Sequence, residues 1–165
     1  MGRYFSQYSY VESDLPDECP LHSAYLDYVL EDGTRLHVHQ ADYYCPACEQ
    51  FVMGEQVETI WELERQINDL ENNPDSHFWL LNEFQSIAER IAELHVRIDW
   101  RKKRQSPPKC LQCGTVDIFP IPDREEFNHP ATGQRMKKTG FGFASSNEWH
   151  ATFTPEGDQI ESIYK

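Results

Sequence analysis

Several common classes of protein can be set aside from what this sequence lacks. No hydrophobic run approaches the ~20 residues that a membrane-spanning helix requires, and no secretory signal opens the chain. The start, Met1 to Ser6, fits the M-G-x-x-x-S acylation pattern, but the bulky aromatics beside Gly2 argue against lipidation. Basic residues are scarce: 15 Lys and Arg stand against 28 Asp and Glu, for a net charge of −13. A field of that sign repels phosphate backbones and anionic membranes over about 8 Å at physiological salt. Cysteines number five, an odd count. Without an export signal they predict reduced thiols in a cytoplasmic protein and no disulfide framework.

Catalytic signatures are missing as well. There is no P-loop, G-x-G-x-x-G, HExxH or G-x-S-x-G. His95, His129 and His150 fall in different predicted elements, with no acid or nucleophile at a telling spacing. The "HPATG" stretch at 129–133 reads as a plain turn. The expectation is a protein without catalysis of its own.

What is present is aromatic. Nine Phe, eight Tyr and four Trp, with 39% hydrophobic residues overall, support a packed core in one domain over 1–165. Residues 3–18 mix aromatics with acids, which predicts an extended arm or edge strand. Leu26, Tyr28 and Leu30 alternate, as do Leu36 and Val38. Glu31-Asp32-Gly33 between them completes a β-hairpin. The period then changes. Ile60, Leu63, Ile67 and Leu70 predict an amphipathic helix ending at Asn72-Asn73-Pro74. A second stripe of Leu80, Phe84, Ile87, Ile91, Leu94 and Ile98 predicts a helix capped by Asp75 or Ser76. It would outlast the first by roughly ten residues, or ~15 Å, and close at "RKKR", Arg101–Arg104. Residues 57–104 thus read as an antiparallel helical hairpin. Further on, "TVDIFPIP", "EWHATFT" and "QIESIYK" are strand candidates, and the glycine-rich stretch 131–147 reads as a loop with a short strand.

Two cysteine pairs, "DYYCPACEQF" and "PPKCLQCGTVDIF", supply the strongest motif. Four thiolates can enclose one Zn²⁺ with Zn–S near ~2.3 Å, which sets neighbouring sulfurs ~3.8 Å apart. Gly114 suits the left-handed position that closes such a turn, whereas Glu49 holds the matching place after Cys48. The 61 residues between Cys48 and Cys110 exceed the usual ~15–20. An antiparallel helical excursion accounts for the excess, because it can leave and return at one point. Around Cys45–Met53 and Lys109–Ile118 the chain resembles a zinc ribbon, or rubredoxin-like knuckle fold. The resemblance implies one structural zinc held by Cys45, Cys48, Cys110 and Cys113, in an α+β fold with β-hairpins, the inserted helical hairpin and a β-rich C-terminal part. Metal-binding knuckles host many functions, so the likeness implies little beyond the metal.

Other arrangements compete. Cys19 and His22 with Cys45 and Cys48 would have more ordinary spacing, but would strand the better knuckle. His37 and His39 lie two apart on one strand face, so Cys19, His22, His37 and His39 form a conceivable second set. The plainer expectation is a buried thiol and surface histidines. A redox dithiol would need a CxxC at a helix N-terminus, and neither pair has that setting. For partners, Trp61, Trp79 and Trp100 give the helical hairpin more apolar surface than two helices need for each other. That predicts a scaffold or adaptor using it to bind another protein. The alternative is a nucleic-acid binder using Arg101–Arg104 and Lys109, with Arg135, Lys137 and Lys138 nearby and Trp100 and Phe141 as stacking platforms. The net charge disfavours it.

Overall fold

The structure, a computed structural model, describes residues 2–74, 85–145 and 147–165. It is an α+β fold of three small sheets and one helical hairpin. In the first sheet β1 (Gly2–Tyr10) pairs antiparallel with β8 (Arg135–Ser145), which also carries β7 (Glu126–Asn128). The expected N-terminal arm is therefore an edge strand, its outer side met by bridges from Glu18 and Leu21. β8 departs from expectation, because the supposed glycine-rich loop is an 11-residue strand. Glycine is tolerated there because a ring occupies its space: a Cβ on Gly142 would lie 2.6 Å from the Phe5 ring opposite. The 129–133 turn is the plain turn expected, with Gly133 N–H donating to the His129 carbonyl.

The second sheet has four strands. β2 (Tyr25–Val29) and β3 (Arg35–His37) form the expected hairpin, closed where Leu30 N–H donates to Thr34 O at 2.9 Å. β2 also runs parallel to β9 (Trp149–Phe153), and β10 (Gln159–Tyr164) pairs antiparallel with β9. Alternation turns Leu26, Tyr28, Leu36, Ala151 and Phe153 into one core, which Met53, Trp100 and Leu111 complete from outside the sheet.

The third sheet joins β4 (Gln40–Cys45), β5 (Gln50–Glu55) and β6 (Phe119–Pro120). Of the expected "TVDIFPIP" strand only Phe119-Pro120 pairs, at the edge where a residue lacking an N–H is tolerated.

Between β5 and the second cysteine pair stand α1 (Ile60–Asn72) and α2 (Ile87–Lys103). Each begins with a reciprocal capping box, Thr59 with Glu62 and Ser86 with Glu89. The start of α2 corrects the sequence reading. Gln85 and Ser86 are not helical, so α2 has 17 residues against 13 in α1 and overhangs it by far less than ten. Asp75, Ser76, Trp79, Leu80 and Phe84 lie outside the described residues. Leu63, Ile67 and Leu70 pack against Leu94 and Ile98, with Ile60, Ile87 and Ile91 at the margin. The next face of α2 turns to the sheets. Trp100 enters the main core and donates Nε1–H to Pro155 O at 2.9 Å, and the fully buried Arg97 donates to His37 O at 2.7 Å.

Candidate metal centre

The first cysteine pair sits in the turn from β4 to β5, with Cys45 ending β4. Glu49 N–H donates to Pro46 O, and Glu49 takes φ +53°, a left-handed value that a side chain resists. In the second pair Gly114 N–H donates to Cys110 O at 2.8 Å and Gly114 adopts φ +78° at no steric cost. Both knuckles therefore place a left-handed residue directly after the second cysteine, glycine in one and glutamate in the other, but the closing hydrogen bond reaches back four residues in the second pair and three in the first. Gln50 Nε2–H donates to Gln112 Oε1 at 3.0 Å and ties the two turns together.

The long separation is resolved at the base of the helical hairpin. As the chain returns, Leu111 N–H donates to Met53 O at 3.1 Å and Glu55 N–H to Lys109 O at 3.0 Å. Cys110 bridges Gly54 between them. The strand leaving the first knuckle thus receives the strand entering the second, and the insertion departs from and returns to one place.

That pairing brings Cys45, Cys48, Cys110 and Cys113 together, their sulfurs all within 4.8 Å of one another. Cys45 Sγ lies 3.6 Å from Cys113 Sγ, and Cys48 Sγ lies 3.9 Å from Cys110 Sγ. These distances bracket the ~3.8 Å edge of a tetrahedron with metal–sulfur bonds of ~2.3 Å. All four are free thiols; Cys45 and Cys110 are buried, Cys48 is half-buried and Cys113 exposed. Among the described residues no other group of three or more Cys, His, Asp or Glu ligand atoms converges so closely. Neither pair opens a helix, so the setting of a redox dithiol is missing.

The thiols do not titrate alike. Burial, then neighbouring sulfurs, pushes Cys48 far up. Burial also raises Cys110, up to about 11, against backbone N–H groups of Cys113 and Gln112 that favour its thiolate. For Cys113 burial again opposes ionisation, but the Thr115 N–H and the three adjacent thiols outweigh it, and its pKa falls. Ionising the whole group requires local positive charge, which a divalent cation supplies. The donor set, the sulfur spacing and the N–H groups aimed at sulfur all fit a structural metal of the soft-to-borderline class.

The remaining candidates are not gathered. Cys19 is exposed at the N-terminal arm. His22 faces Asp42 at 3.7 Å, His37 faces Asp27 at 3.7 Å, and His39 is hydrogen-bonded to Glu58. Neither Cys19, His22, Cys45, Cys48 nor Cys19, His22, His37, His39 forms a ligand cluster. The basic edge of the nucleic-acid alternative is also broken up. Arg104 is buried, Arg101 donates Nε–H to Glu58 O, and Lys109 pairs with Asp158 at 2.6 Å. Arg135 pairs with Glu12 and Glu126, and Lys137 with Glu125. Trp100 is buried, which leaves Phe141 as the one exposed stacking candidate of the two.

In sequence Glu55 and Glu58 read, with Glu62 and Glu64, as the solvated face of a helix, and the structure overturns this for the first two, which are buried. Glu55, at the end of β5, is fully buried and accepts from Arg104, from Tyr28 Oη–H at 2.7 Å and from Lys109 N–H at 2.8 Å. Its only sequence signal was a lone acid ending the apolar run "FVMGE". Comparison with protein-family models, curated proteins and solved structures finds no match to this chain.

Proposed function

We propose that this chain holds one structural Zn²⁺ through Cys45, Cys48, Cys110 and Cys113, and that it serves as a non-catalytic scaffold or adaptor in the cytoplasm. The convergence of the four thiols at the base of the helical hairpin carries the reading. Four protein ligands would close the coordination shell, leaving no position for substrate. The metal would instead join the two strands from which the insertion springs, and so hold the hairpin in place. Zinc suits the donor set better than a hard cation does.

The adaptor role rests on the outer face of α1. Trp61 is 64% exposed there, with the Arg65 guanidinium 5.1 Å over its ring. Exposed aromatics beside arginine are favoured contacts at protein interfaces.

Two measurements test the reading. Elemental analysis of freshly purified protein should find one zinc per chain; none would end the metal assignment. A photoreactive residue at position 61 should cross-link a discrete partner in cells, whereas one at Glu126, on the first sheet, should not. Equal labelling from both positions would move the interaction surface away from the hairpin.

A further inference from the structure

The second sheet ends in an open edge. All six residues of β10 are exposed, among them Ile160 at 59%, Ile163 at 44% and Tyr164 at 67%. Among the described residues no strand covers the side of β10 away from β9. Natural edge strands are usually blunted by proline, by central lysines, by shortness or by a bulge. β10 contains no proline, and its one register irregularity lies at its start, between Gln159 and Glu161. From Glu161 onward it is regular, and Glu161 is the one charged residue within the strand.

The pairing with β9 fixes which backbone groups face outward. Lys165 and Glu148 exchange both backbone hydrogen bonds, Lys165 N–H to Glu148 O at 2.9 Å and Glu148 N–H to Lys165 O at 3.0 Å. In an antiparallel ladder such pairs alternate with pairs whose N–H and C=O point away. Ser162 and Tyr164 therefore present theirs to the open side.

We propose that β10 pairs antiparallel with β10 of a second copy of this chain, in the register that places Ile163 opposite Ile163. In this register Ser162 of each copy exchanges backbone hydrogen bonds with Tyr164 of the other, which matches the outward groups. Glu161 then faces Lys165 across the junction, twice by symmetry. The edge is thus complementary to itself in hydrogen bonding, in apolar contact at the axis and in charge. The two four-stranded sheets become one continuous sheet with a two-fold axis at its centre, an isologous contact that closes on itself. A register shifted by two residues would set Glu161 against Ile163 and lose the ion pairs.

Sedimentation equilibrium of the metal-loaded full chain, over micromolar to hundred-micromolar concentrations, tests this. The mass should rise from that of one chain toward two. Glu161→Lys and Lys165→Glu should each raise the dimer dissociation constant about tenfold, because each sets like charges opposite at two symmetric places. The combined swap, Glu161→Lys with Lys165→Glu, should restore the original value. The single changes shift the net charge in opposite directions, so a general charge effect would move them oppositely. A chain that stays monomeric throughout, or a dimer indifferent to the single swaps or not rescued by the double, overturns the proposal. Glu161 is an exposed strand site and Lys165 an exposed residue directly after the strand, so the variants should fold, which the unchanged zinc content of each confirms.

Discussion

Glu55 and Arg104 face each other in a two-pronged ion pair, Oε2 to Nη2 at 2.6 Å and Oε1 to Nη1 at 2.9 Å, with both side chains fully buried. One residue ends the strand that leaves the first cysteine knuckle, and the other follows the last turn of α2. The pair therefore clasps both ends of the helical insertion beside the candidate metal centre. Its remaining polar capacity is filled, since Arg104 also donates to the carbonyls of Ser106 and Pro107. Arg104→Ala would leave the Glu55 charge buried with only Tyr28 and the Lys109 N–H, and should cost about 3–5 kcal/mol. Lys102→Ala, exposed on the same turn, should stay within about 0.5 kcal/mol. Urea denaturation of both variants distinguishes a clasp from a helix end that merely carries basic residues.

Zinc content should separate the cysteines into two classes. Cys45→Ser and Cys110→Ser should each lose the metal, and chelation of the unmodified chain should lower its melting temperature, because binding and folding are coupled at such sites. Cys19→Ser and the His37→Ala/His39→Ala double variant should keep one equivalent. Loss of zinc from either of these two would place the ligands elsewhere.

The parts of this fold legible in the sequence are those set by local chemistry. Two residues between cysteines and Gly114 after the second pair define a knuckle, and the spacing of Ile60, Leu63, Ile67 and Leu70 defines α1. The misread parts depend on distant partners. β8 is a strand because β1, more than a hundred residues earlier, pairs with it and covers Gly142 with Phe5. α2 starts at Ile87 because Ser86 and Glu89 close a capping box, whereas the apolar stripe alone suggested an earlier start. Arg104 read only as one of four basic residues closing a helix because nothing near it in sequence announces Glu55, 49 residues away.

Excision of the helical hairpin should not be neutral. Trp100 belongs to the main core, and Arg97 and Arg104 reach from the hairpin and its end into the sheets. Replacing residues 60–104 by a Gly/Ser linker removes Trp100 and strands Glu55, so cooperative unfolding should be lost. Leu94→Ala, wholly within the helical seam, should instead cost about 2–5 kcal/mol and leave zinc stoichiometry unchanged. An excised chain with native-like thermal stability would show the hairpin to be a separable unit.

Acid should act in part through Asp42. Burial opposes its charge, but His22, which faces it at 3.7 Å, and the Tyr8 hydroxyl that donates to it outweigh this and hold its pKa below the ordinary value. A carboxylate depressed in the native state adds stability above its unfolded pKa, near ~3.9. That contribution disappears as pH falls through the lower folded value. Asp42→Asn should therefore cost about 1 kcal/mol at neutral pH. The penalty should shrink below pH ~4. Chemical unfolding of both proteins at several pH values reads the difference directly, and any acid release of metal is common to the two. A penalty as large in strong acid as at pH ~7 would show that the carboxylate's charge contributes nothing.

The basic run at the end of α2 gives the last prediction. As a nucleic-acid edge it needs exposed cations, yet Arg104 is committed to Glu55 and Arg101 to the Glu58 carbonyl. Lys102 and Lys103 remain exposed, within a chain of net charge −13. Two lysines can neutralise about two phosphates, and each contact contributes a salt slope near −0.9 on duplex DNA. The expectation is no measurable binding of the zinc-loaded chain to random duplex DNA or single-stranded RNA at ~150 mM salt. Lys102→Ala/Lys103→Ala should change neither this nor stability by more than a few tenths of a kcal/mol beyond the loss of favourable charges at a helix C-terminus. These two positions are the proper test, since a variant that also replaced Arg104 would unclasp Glu55 and confuse unfolding with lost binding. Tight, salt-sensitive binding that disappears in the double variant would instead make the end of α2 a phosphate-reading surface, despite the acidity of the chain around it.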